Sequence, residues 1–287
     1  MGSLLNGKTV FITGGTRGIG RAIALKCARN GAAVVVAARN AAGASVVEEI
    51  QAVGARALGV TCDMQREEDI KAAIEQTVRE FGTIDVLVNN ATTLVLKNTA
   101  DIAMSEYDLM ANLNTRGAFT AVKYALPYLQ KSDNSHMLTI CPMPQLDAQW
   151  FAKNMPYTMS KFAMGLMAFG LSAEQKQFGV ASNTLWPFTT IDTDGLAECG
   201  NDEFQKYPRK PTIMADAAFW IISQDSSKCS GNFFIDEIVL REAGVKDFEQ
   251  YNAVEGARIS ELSRDHMVAP DQLSKLMKLR ELAGVAS

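Results

Sequence analysis

A short apolar run at residues 8–13 leads directly into Thr13-Gly14-Gly15-Thr16-Arg17-Gly18-Ile19-Gly20, after which an amphipathic helical pattern begins. Glycines at the joint between a strand and a helix allow a tight turn and close approach of the backbone to a pyrophosphate, whose charge is favoured by the helix N-terminus. A purely structural turn is the alternative. The position between the first strand and the first helix of a βαβ pattern favours dinucleotide binding.

Beyond this turn, apolar runs of strand length alternate with helical patterns. The run at residues 32–38 is continuously apolar, which is typical of a strand buried on both faces of a parallel sheet. The predicted strands are 8–13, 32–38, 56–62, 84–89, 136–141, 180–186 and 231–235. The predicted helices are 18–30, 42–53, 67–81, 105–131 and 157–178.

This alternation predicts an α/β fold with a Rossmann-type, doubly wound, seven-stranded parallel sheet in a single domain. We assign residues 1–243 to this domain. Residues 244–287, which include a helical pattern at 270–283, form a C-terminal helical extension. So short a segment would make a marginal core by itself, so we expect it to pack on the core or on a neighbouring subunit.

Composition narrows the possible partners of this 287-residue chain. A net charge of −4 and a pI of about 5.4 give no broad basic surface, which argues against a nucleic-acid partner. No apolar run reaches the length of a membrane span, and the N-terminus lacks a signal pattern. Five scattered cysteines and two histidines argue against a metal site or a disulfide framework, and predict a cytoplasmic protein with reduced thiols.

Several motifs, in order and on the expected elements, resemble those of the short-chain dehydrogenase/reductase family. The resemblance covers residues 8–240 and implies an oxidoreductase that uses a nicotinamide cofactor to interconvert a carbonyl and a secondary alcohol. Its motifs are T-G-x-x-x-G-x-G at Thr13 to Gly20, N-N-A at Asn89-Asn90-Ala91, N-x-x-G at Asn114 to Gly117, and Y-x-x-x-K at Tyr157 to Lys161. The predicted cofactor-binding residues are Gly14, Gly15, Thr16, Arg17, Gly18, Ile19, Gly20, Arg39, Asp63, Met64, Asn90, Tyr157 and Lys161.

Tyr157 and Lys161 are the candidate catalytic pair. Residues four apart lie on one face of a helix, so the hydroxyl and the ammonium can reach the same small volume. A free tyrosine has a pKa of about 10, and a nearby cation lowers it towards the range of a usable general acid–base. Such pairs also occur by chance on helices, as solvated or structural neighbours. The resemblance makes Tyr157 the proton donor and acceptor, and it makes Asn114 the holder of a water that links Lys161 to solvent.

The chain departs from the family pattern at the position of the substrate-orienting serine, where Cys141-Pro142 stands instead. Thr92, Thr93 and Thr139 are candidate replacements for the missing hydroxyl, since a lost oxyanion donor can cost about 10²–10³ in rate. Further departures are Thr92 itself after the N-N-A motif, Trp186-Pro187-Phe188 after the sixth strand, and Asp236-Glu237-Ile238 after the seventh. Together they resemble one branch of the family whose members can carry a sterol-carrier domain; no sequence here matches such a domain.

The end of the second strand predicts the cofactor. An acidic residue there would bind the ribose diol of NAD and repel a 2′-phosphate. This chain has Ala38 followed by Arg39, and Arg17 lies in the glycine turn. Because arginine is well shaped for phosphate, we predict NADP(H). The alternative is that Arg39 is merely solvated.

Apolar side chains surround the catalytic motif in sequence, and they have two interpretations. They either pack in the core or form the mouth of a pocket for a small, apolar, lipid-like carbonyl or alcohol. These residues are Met143, Trp150, Phe151, Met155, Trp186 and Phe188. The resemblance also implies a homodimer or homotetramer that pairs helices 105–131 and 157–178. The alternative hypothesis for the function is a cofactor-binding scaffold or sensor with little catalysis.

Overall fold

The computed structural model describes residues 4–40, 43–198 and 205–284. Within them lies a seven-stranded sheet in the order β3-β2-β1-β4-β5-β6-β7, in which every neighbouring pair is parallel. This confirms the predicted doubly wound sheet. The strands are β1 (Thr9–Thr13), β2 (Ala33–Ala38), β3 (Ala57–Thr61), β4 (Val86–Asn89), β5 (Ser135–Ile140), β6 (Val180–Trp186) and β7 (Phe233–Ile235).

Alternate strand residues face opposite sides of the sheet, and both sides are covered. Phe11 pairs with Val35 and Leu87 in the neighbouring strands, and all three belong to one apolar cluster. Ile12 and Val36, one residue further along, belong to a second cluster on the other side. Burial on both faces accounts for the continuous apolar runs of the central strands.

The helices follow the strands as the alternating pattern predicts. Those of the alternating region are α1 (Gly18–Arg29), α2 (Gly43–Ala52), α3 (Glu67–Phe81), α4 (Met104–Met110), α5 (Ala118–Leu129) and α6 (Met155–Glu174). Those nearer the C-terminus are α7 (Asp194–Glu198), α8 (Thr212–Ile222), α9 (Asp236–Glu242) and α10 (Pro270–Leu282). No helix within the described ranges has both the length and the apolarity to cross a membrane.

Three features differ from the predicted helices. The single helix predicted at 105–131 is interrupted by a π-helical segment, Ala111–Gly117, which separates α4 from α5. The helix predicted at 157–178 ends at Glu174 and continues as a short 3₁₀ turn, Lys176–Phe178. Helices α7 and α8 have no counterpart in the prediction. The apolar run of α8 has no polar face to reveal a helical period.

The C-terminal segment packs on the core of its own chain. Leu276 of α10 is fully buried in the same apolar cluster as β1. The buried Glu237 carboxylate on α9 accepts hydrogen bonds from Arg209, Arg241 and Arg280. Arg280 belongs to α10, so a buried ionic cluster joins this helix to the end of β7. A contact with a neighbouring subunit stays a prediction.

Candidate active site

A cleft of about 710 Å³ opens at the carboxyl ends of β1 to β4. The strand order reverses between β1 and β4, which is the switch point where open parallel sheets bind their ligands. The cleft is lined by Gly14, Thr16, Arg17, Gly18, Ile19, Ala37, Ala38, Arg39, Asn40, Ser45, Cys62, Met64, Asn90, Ala91, Thr92, Leu113, Thr193, Asp194 and Gly195.

The backbone conformation of the turn requires glycine at three positions. Gly14 and Gly18 adopt φ angles of 66° and 53°, which side chains with a Cβ rarely adopt. A Cβ on Gly20 would lie 2.4 Å from the carbonyl oxygen of Gly14. Asn90 holds this turn from β4, because its Nδ2 donates to the carbonyl oxygens of Thr13 and Gly14 at 3.0 Å each.

The N-terminus of α1 faces this turn without a side-chain cap, since Arg17 stands at the capping position and makes no capping bond. The first backbone N–H groups of a helix need partners from outside the helix. An anion such as a pyrophosphate supplies them, so the turn fits the phosphates of a dinucleotide.

Most of the predicted cofactor-binding residues line the cleft. The others are Gly15, Gly20, Asp63, Tyr157 and Lys161, and their contact with a cofactor stays a prediction. Gly15 packs on Val36: a Cβ added at this glycine would lie 3.2 Å from Cγ1 of Val36. Asp63 is not among the lining residues; its Oδ1 accepts a hydrogen bond from the backbone N–H of Gln65 at 3.0 Å. Motif analysis missed Asn40, Ser45, Leu113, Thr193, Asp194 and Gly195, which the fold brings to the cleft from separate segments.

The two arginines predicted to bind a 2′-phosphate differ in their surroundings. Arg39 is exposed beside Ala38 and has no carboxylate within 4 Å among the described residues. Arg17 forms an ion pair with Asp194, at 3.2 Å between Nη1 and Oδ2, and both side chains are mostly exposed. Asp194 therefore places a negative charge on the rim of a cleft that would receive phosphates.

Helix α6 places Tyr157 and Lys161 one turn apart, and both are buried: the exposed fractions are 7% for Tyr157 and 2% for Lys161. The Nζ of Lys161 donates to the carbonyl oxygen of Ile140 at 3.0 Å and to Oγ1 of Thr92 at 3.4 Å. It also lies 5.1 Å from the ring centre of Trp186. Burial lowers the pKa of this ammonium to about 8, against smaller opposing effects of Cys141 and Asp265.

Asn114 lies in the π-helical segment, and its side chain is fully engaged by the protein. Oδ1 accepts from the backbone N–H of Thr93 at 2.8 Å, and Nδ2 donates to the carbonyl oxygen of Thr93 and to Oγ of Ser160, both at 3.0 Å. Ser160 Oγ in turn donates to the carbonyl oxygen of Tyr157. Asn114 thus ties the segment after β4 to the catalytic helix, and its role in holding a water stays a prediction.

The position of the missing serine is closed by packing. Cys141 is fully buried, and burial raises the pKa of its thiol to about 12, so it remains protonated near neutrality. A Cβ added at Gly165 of α6 would lie 2.9 Å from the Pro144 ring and 3.1 Å from the carbonyl oxygen of Pro142. The residues after β5 therefore lie directly on α6. Among the three candidate hydroxyls, Thr92 is the one that contacts Lys161 and lines the cleft.

The apolar residues near the motif divide between core and surface cavity. Trp186 and Phe188 are buried in the core, with exposed fractions of 8% and 5%, and Phe151 packs edge-on against Phe162. Trp150 instead lines a second cavity of about 370 Å³ between the segment before α6 and the C-terminal segment. Its other lining residues are Gln149, Lys153, Asn154, Thr158, Arg264, Asp265, His266, Val268, Pro270 and Leu273.

Comparison with known sequences agrees with this geometry. A family model described as short chain dehydrogenase matches residues 8–203. Human hydroxysteroid dehydrogenase-like protein 2 is 43% identical over 255 residues, which cover 86% of this chain and 60% of the human protein. Its Xenopus laevis counterpart is also 43% identical, over 86% of this chain and 61% of its own length. The chain thus spans only part of the length of these curated relatives.

Solved structures place the chain in the same family. A candidate dehydrogenase from Xanthomonas campestris superposes with a TM-score of 0.88 at 40% identity, over 92% of this chain and 99% of its own. A short chain dehydrogenase from Burkholderia cenocepacia, solved with NADP, has a TM-score of 0.69 at 25% identity over 80% and 96% of the two chains. A 7α-hydroxysteroid dehydrogenase solved with NADH has 0.74 at 29% identity over 81% and 94%. This chain belongs to the short-chain dehydrogenase/reductase family of oxidoreductases, which bind nicotinamide cofactors.

Proposed function

We propose that the protein is an NADP(H)-dependent oxidoreductase that interconverts a carbonyl and a secondary alcohol. The observation that carries this proposal is the buried ammonium of Lys161, one turn from Tyr157 and in contact with Thr92 on the wall of the dinucleotide cleft. An unpaired buried lysine is costly to the fold, which argues against a merely structural role.

The donor set of the cleft fits a nicotinamide dinucleotide. The uncapped N-terminus of α1 suits the pyrophosphate, and a Cβ on Gly14 would lie 3.0 Å from Ala91, in a cradle that only glycine leaves open. Bound there, the nicotinamide supplies the hydride for reduction of the substrate carbonyl.

The chain's own residues then manage the proton. Tyr157 donates its hydroxyl proton to the carbonyl oxygen during reduction, and it accepts a proton from the alcohol in the reverse direction. The Lys161 ammonium favours the phenolate form of Tyr157. With a cofactor bound, the same ammonium would also hold its ribose. In the absence of the usual serine, the Thr92 hydroxyl, which lines the cleft, orients the substrate oxygen.

Consumption of NADPH with a panel of apolar ketones and aldehydes tests this assignment. We expect turnover that Tyr157→Phe abolishes and that Tyr128→Phe, a matched change on α5 outside the cleft, leaves intact. Tight NADPH binding without turnover on any compound would favour the scaffold or sensor function, which the Cys141-Pro142 sequence supports. Turnover that survives Tyr157→Phe would refute the role of the tyrosine.

Thr92 has its own test. Removal of one donor to a developing oxyanion costs about 10²–10³ in kcat, so Thr92→Val should lower kcat by that order while Thr92→Ser retains most of it. Equal rates for the valine and serine variants would show that another hydroxyl, such as that of Thr93 or Thr139, orients the substrate.

The preference for NADP(H) rests on Arg39 and on the absence of an acidic residue at Ala38. Hydrogen bonds to charged groups contribute roughly 1.5–3 kcal/mol, so Arg39→Ala should weaken NADPH binding about 10- to 150-fold and leave NADH binding unchanged. Arg79→Ala, on the exposed face of α3, is the matched control. Equal losses for both cofactors, or a wild-type enzyme that prefers NADH, would overturn the preference.

We also propose a small apolar substrate and a homodimer or homotetramer. Large apolar side chains are exposed on α5 and α6, among them Phe119, Leu166 and Phe169, with exposed fractions of 55%, 61% and 56%. Large apolar side chains exposed on these two helices favour the predicted pairing of subunits. Light scattering tests the assembly, and a clean monomer would contradict it.

A cytoplasmic location is the remaining part of the proposal. Its support is that Cys27, Cys62, Cys141 and Cys229 are all free thiols. Cys199 lies outside the described residues. Fluorescence microscopy of the tagged protein, with markers for the other compartments, tests this location.

A further inference from the structure

The C-terminal segment is joined to the loop that follows β6, directly behind the catalytic helix. Thr190 N–H donates to the carbonyl oxygen of Ser263 at 2.8 Å, and Asp265 N–H donates to the carbonyl oxygen of Phe188 at 2.9 Å. These backbone bonds hold the Asp265 side chain beside Trp186, the last residue of β6. The C-terminal segment is therefore fixed to the end of β6, next to the catalytic helix.

Trp186 links Asp265 to the catalytic lysine. Its indole Nε1–H donates to Oδ1 of Asp265 at 2.8 Å, while its ring centre lies 5.1 Å from the Nζ of Lys161. The same Oδ1 accepts from the backbone N–H of Met267 at 2.8 Å, so the carboxylate is held in one orientation. With exposed fractions of 8% for Trp186 and 2% for Lys161, water does not screen this contact.

Lys161 otherwise has neutral neighbours. Its hydrogen bonds go to a carbonyl oxygen and to the Thr92 hydroxyl, and Cys141 of the β5 end is a protonated thiol. Among the residues that the structure describes, no carboxylate forms an ion pair with its ammonium at 4 Å or less. Asp265 is the carboxylate that reaches it, through one intervening aromatic ring.

We propose that Asp265 is a positioning residue for Lys161, and that it acts through the indole of Trp186. The carboxylate polarises the indole through its N–H bond, and the more electron-rich ring attracts the ammonium more strongly. This keeps Lys161 charged and fixed under the cofactor cleft. The inference rests on the proposed function, in which the charged form of Lys161 activates Tyr157.

The electrostatics agree with this geometry. Burial pulls the pKa of Lys161 down to about 8, and the charge of Asp265 acts in the opposite direction. The cations nearest to Asp265 in the second cavity are Lys153 and Arg264, with His266 beside them; all three are exposed and therefore screened. They temper the effect of Asp265 on Lys161 but do not cancel it.

An NMR titration of protein labelled with ¹³C at lysine Cε measures the protonation of Lys161 without any need for turnover. The Lys161 signal is assigned by its loss in Lys161→Arg. Asp265→Asn keeps the hydrogen-bond acceptor and removes the charge, and Trp186→Phe keeps a ring and removes the N–H. Glu255→Gln, an exposed change in the same C-terminal segment, controls for the loss of one negative charge.

We expect Asp265→Asn to lower the titration midpoint of Lys161 by about one pH unit, with Glu255→Gln unchanged. Trp186→Phe should also lower it, and the double variant should shift less than the sum of the two, because both changes break one pathway. If Asp265→Asn does not fold, Trp186→Phe alone carries the test.

An unchanged midpoint in the folded variants, or an equal shift in Glu255→Gln, would overturn the proposal. This result is separable from the proposed function. A lysine that responds to Asp265 in a protein without turnover would spare this contact and refute the enzyme. If Lys161 does not respond to Asp265 but turnover depends on Tyr157, the enzyme assignment stands and the role of Asp265 is refuted.

Discussion

Replacement of Glu237 by glutamine should destabilise the fold more than any single surface change. The Glu237 carboxylate is fully buried and accepts hydrogen bonds at 2.6–2.8 Å from the guanidinium groups of Arg209, Arg241 and Arg280. These side chains are themselves 1%, 5% and 6% exposed. Glutamine fits the same space but carries no charge, so it leaves three buried cations that face one another.

The expected loss follows from this burial. Removal of one partner from a buried ion pair costs roughly 3–5 kcal/mol, and here one carboxylate serves three partners. A typical domain is stable by only about 5–15 kcal/mol, so Glu237→Gln should lose a large part of its free energy of unfolding. Urea denaturation at pH 7, followed by tryptophan fluorescence, measures this loss.

A matched control lies between the same two helices. Glu242 of α9 pairs with Lys275 of α10 at 2.6 Å, but their side chains are 39% and 54% exposed. Because exposed pairs contribute about 0–1 kcal/mol, Glu242→Gln should change stability little. If Glu237→Gln were no more destabilising than Glu242→Gln, the buried cluster would not be what anchors α10, and this reasoning would be wrong.

Acid should expose the same cluster. Burial by itself would raise the pKa of Glu237, but the hydrogen bonds from Arg280 and the charges of the three arginines outweigh it and lower the pKa to about 2. In the unfolded chain, a glutamate has a pKa of about 4.3. The stabilisation is therefore fully present above this value and is lost as the pH falls towards 2, a loss that Glu237→Gln should not show.

Three further predictions use other contacts. Asp194→Asn removes the ion pair with Arg17 and a negative charge from the cleft rim, so NADPH should bind about 2- to 5-fold more tightly in a fluorescence titration; weaker binding would contradict this. Burial raises the pKa of Asp236 to about 7, so the folded protein holds this proton more tightly than the unfolded chain does. As the pH rises from about 4 to 7, the wild type should therefore lose up to about 4 kcal/mol of stability relative to Asp236→Asn. Urea denaturation at several pH values measures this loss, and a constant difference would contradict it. Gly117→Ala would place a Cβ 2.4 Å from the carbonyl oxygen of Met64 and should lower stability by about 1–3 kcal/mol, whereas Gly170→Ala, with open space around it, should not; equal melting temperatures would refute the clash.

The sheet and the glycine turn were predictable because their determinants are local. A continuous apolar run such as Ala33–Ala38 has few other stable placements than a strand buried on both faces. Positive φ at Gly14 and Gly18 is likewise a demand of the turn itself. Both features can be predicted directly from the sequence, and they locate the cleft without knowledge of the tertiary structure.

Features that depend on distant contacts were not predictable in the same way. The sequence of Ala111–Gly117 does not distinguish a π-helix from an α-helix, and the hydrogen bonds of Asn114 to Thr93 become apparent only in the folded chain. Pocket-like apolar residues near the motif, such as Trp186 and Phe188, are core residues in the structure. The residues that cover them belong to a C-terminal segment that sequence patterns describe only as helical and charged.

The departures from the family motifs gain their meaning from that segment. Trp186 contacts both Lys161 and Asp265, and Phe188 receives the Arg280 guanidinium 4.8 Å from its ring centre. Arg280 also binds Glu237, the second residue of the altered motif after β7. Two departures that are far apart in sequence therefore meet the same C-terminal segment, at the carboxyl ends of β6 and β7.

Buried, hydrogen-bonded side chains occupy both altered positions. Trp186 donates to Asp265, and Glu237 accepts from three arginines. The altered motifs are best explained as one interface between the sheet and the C-terminal segment. On this argument, changes in α10 or in the segment that precedes it should reach Lys161 through Trp186, although no residue of α10 lines the dinucleotide cleft.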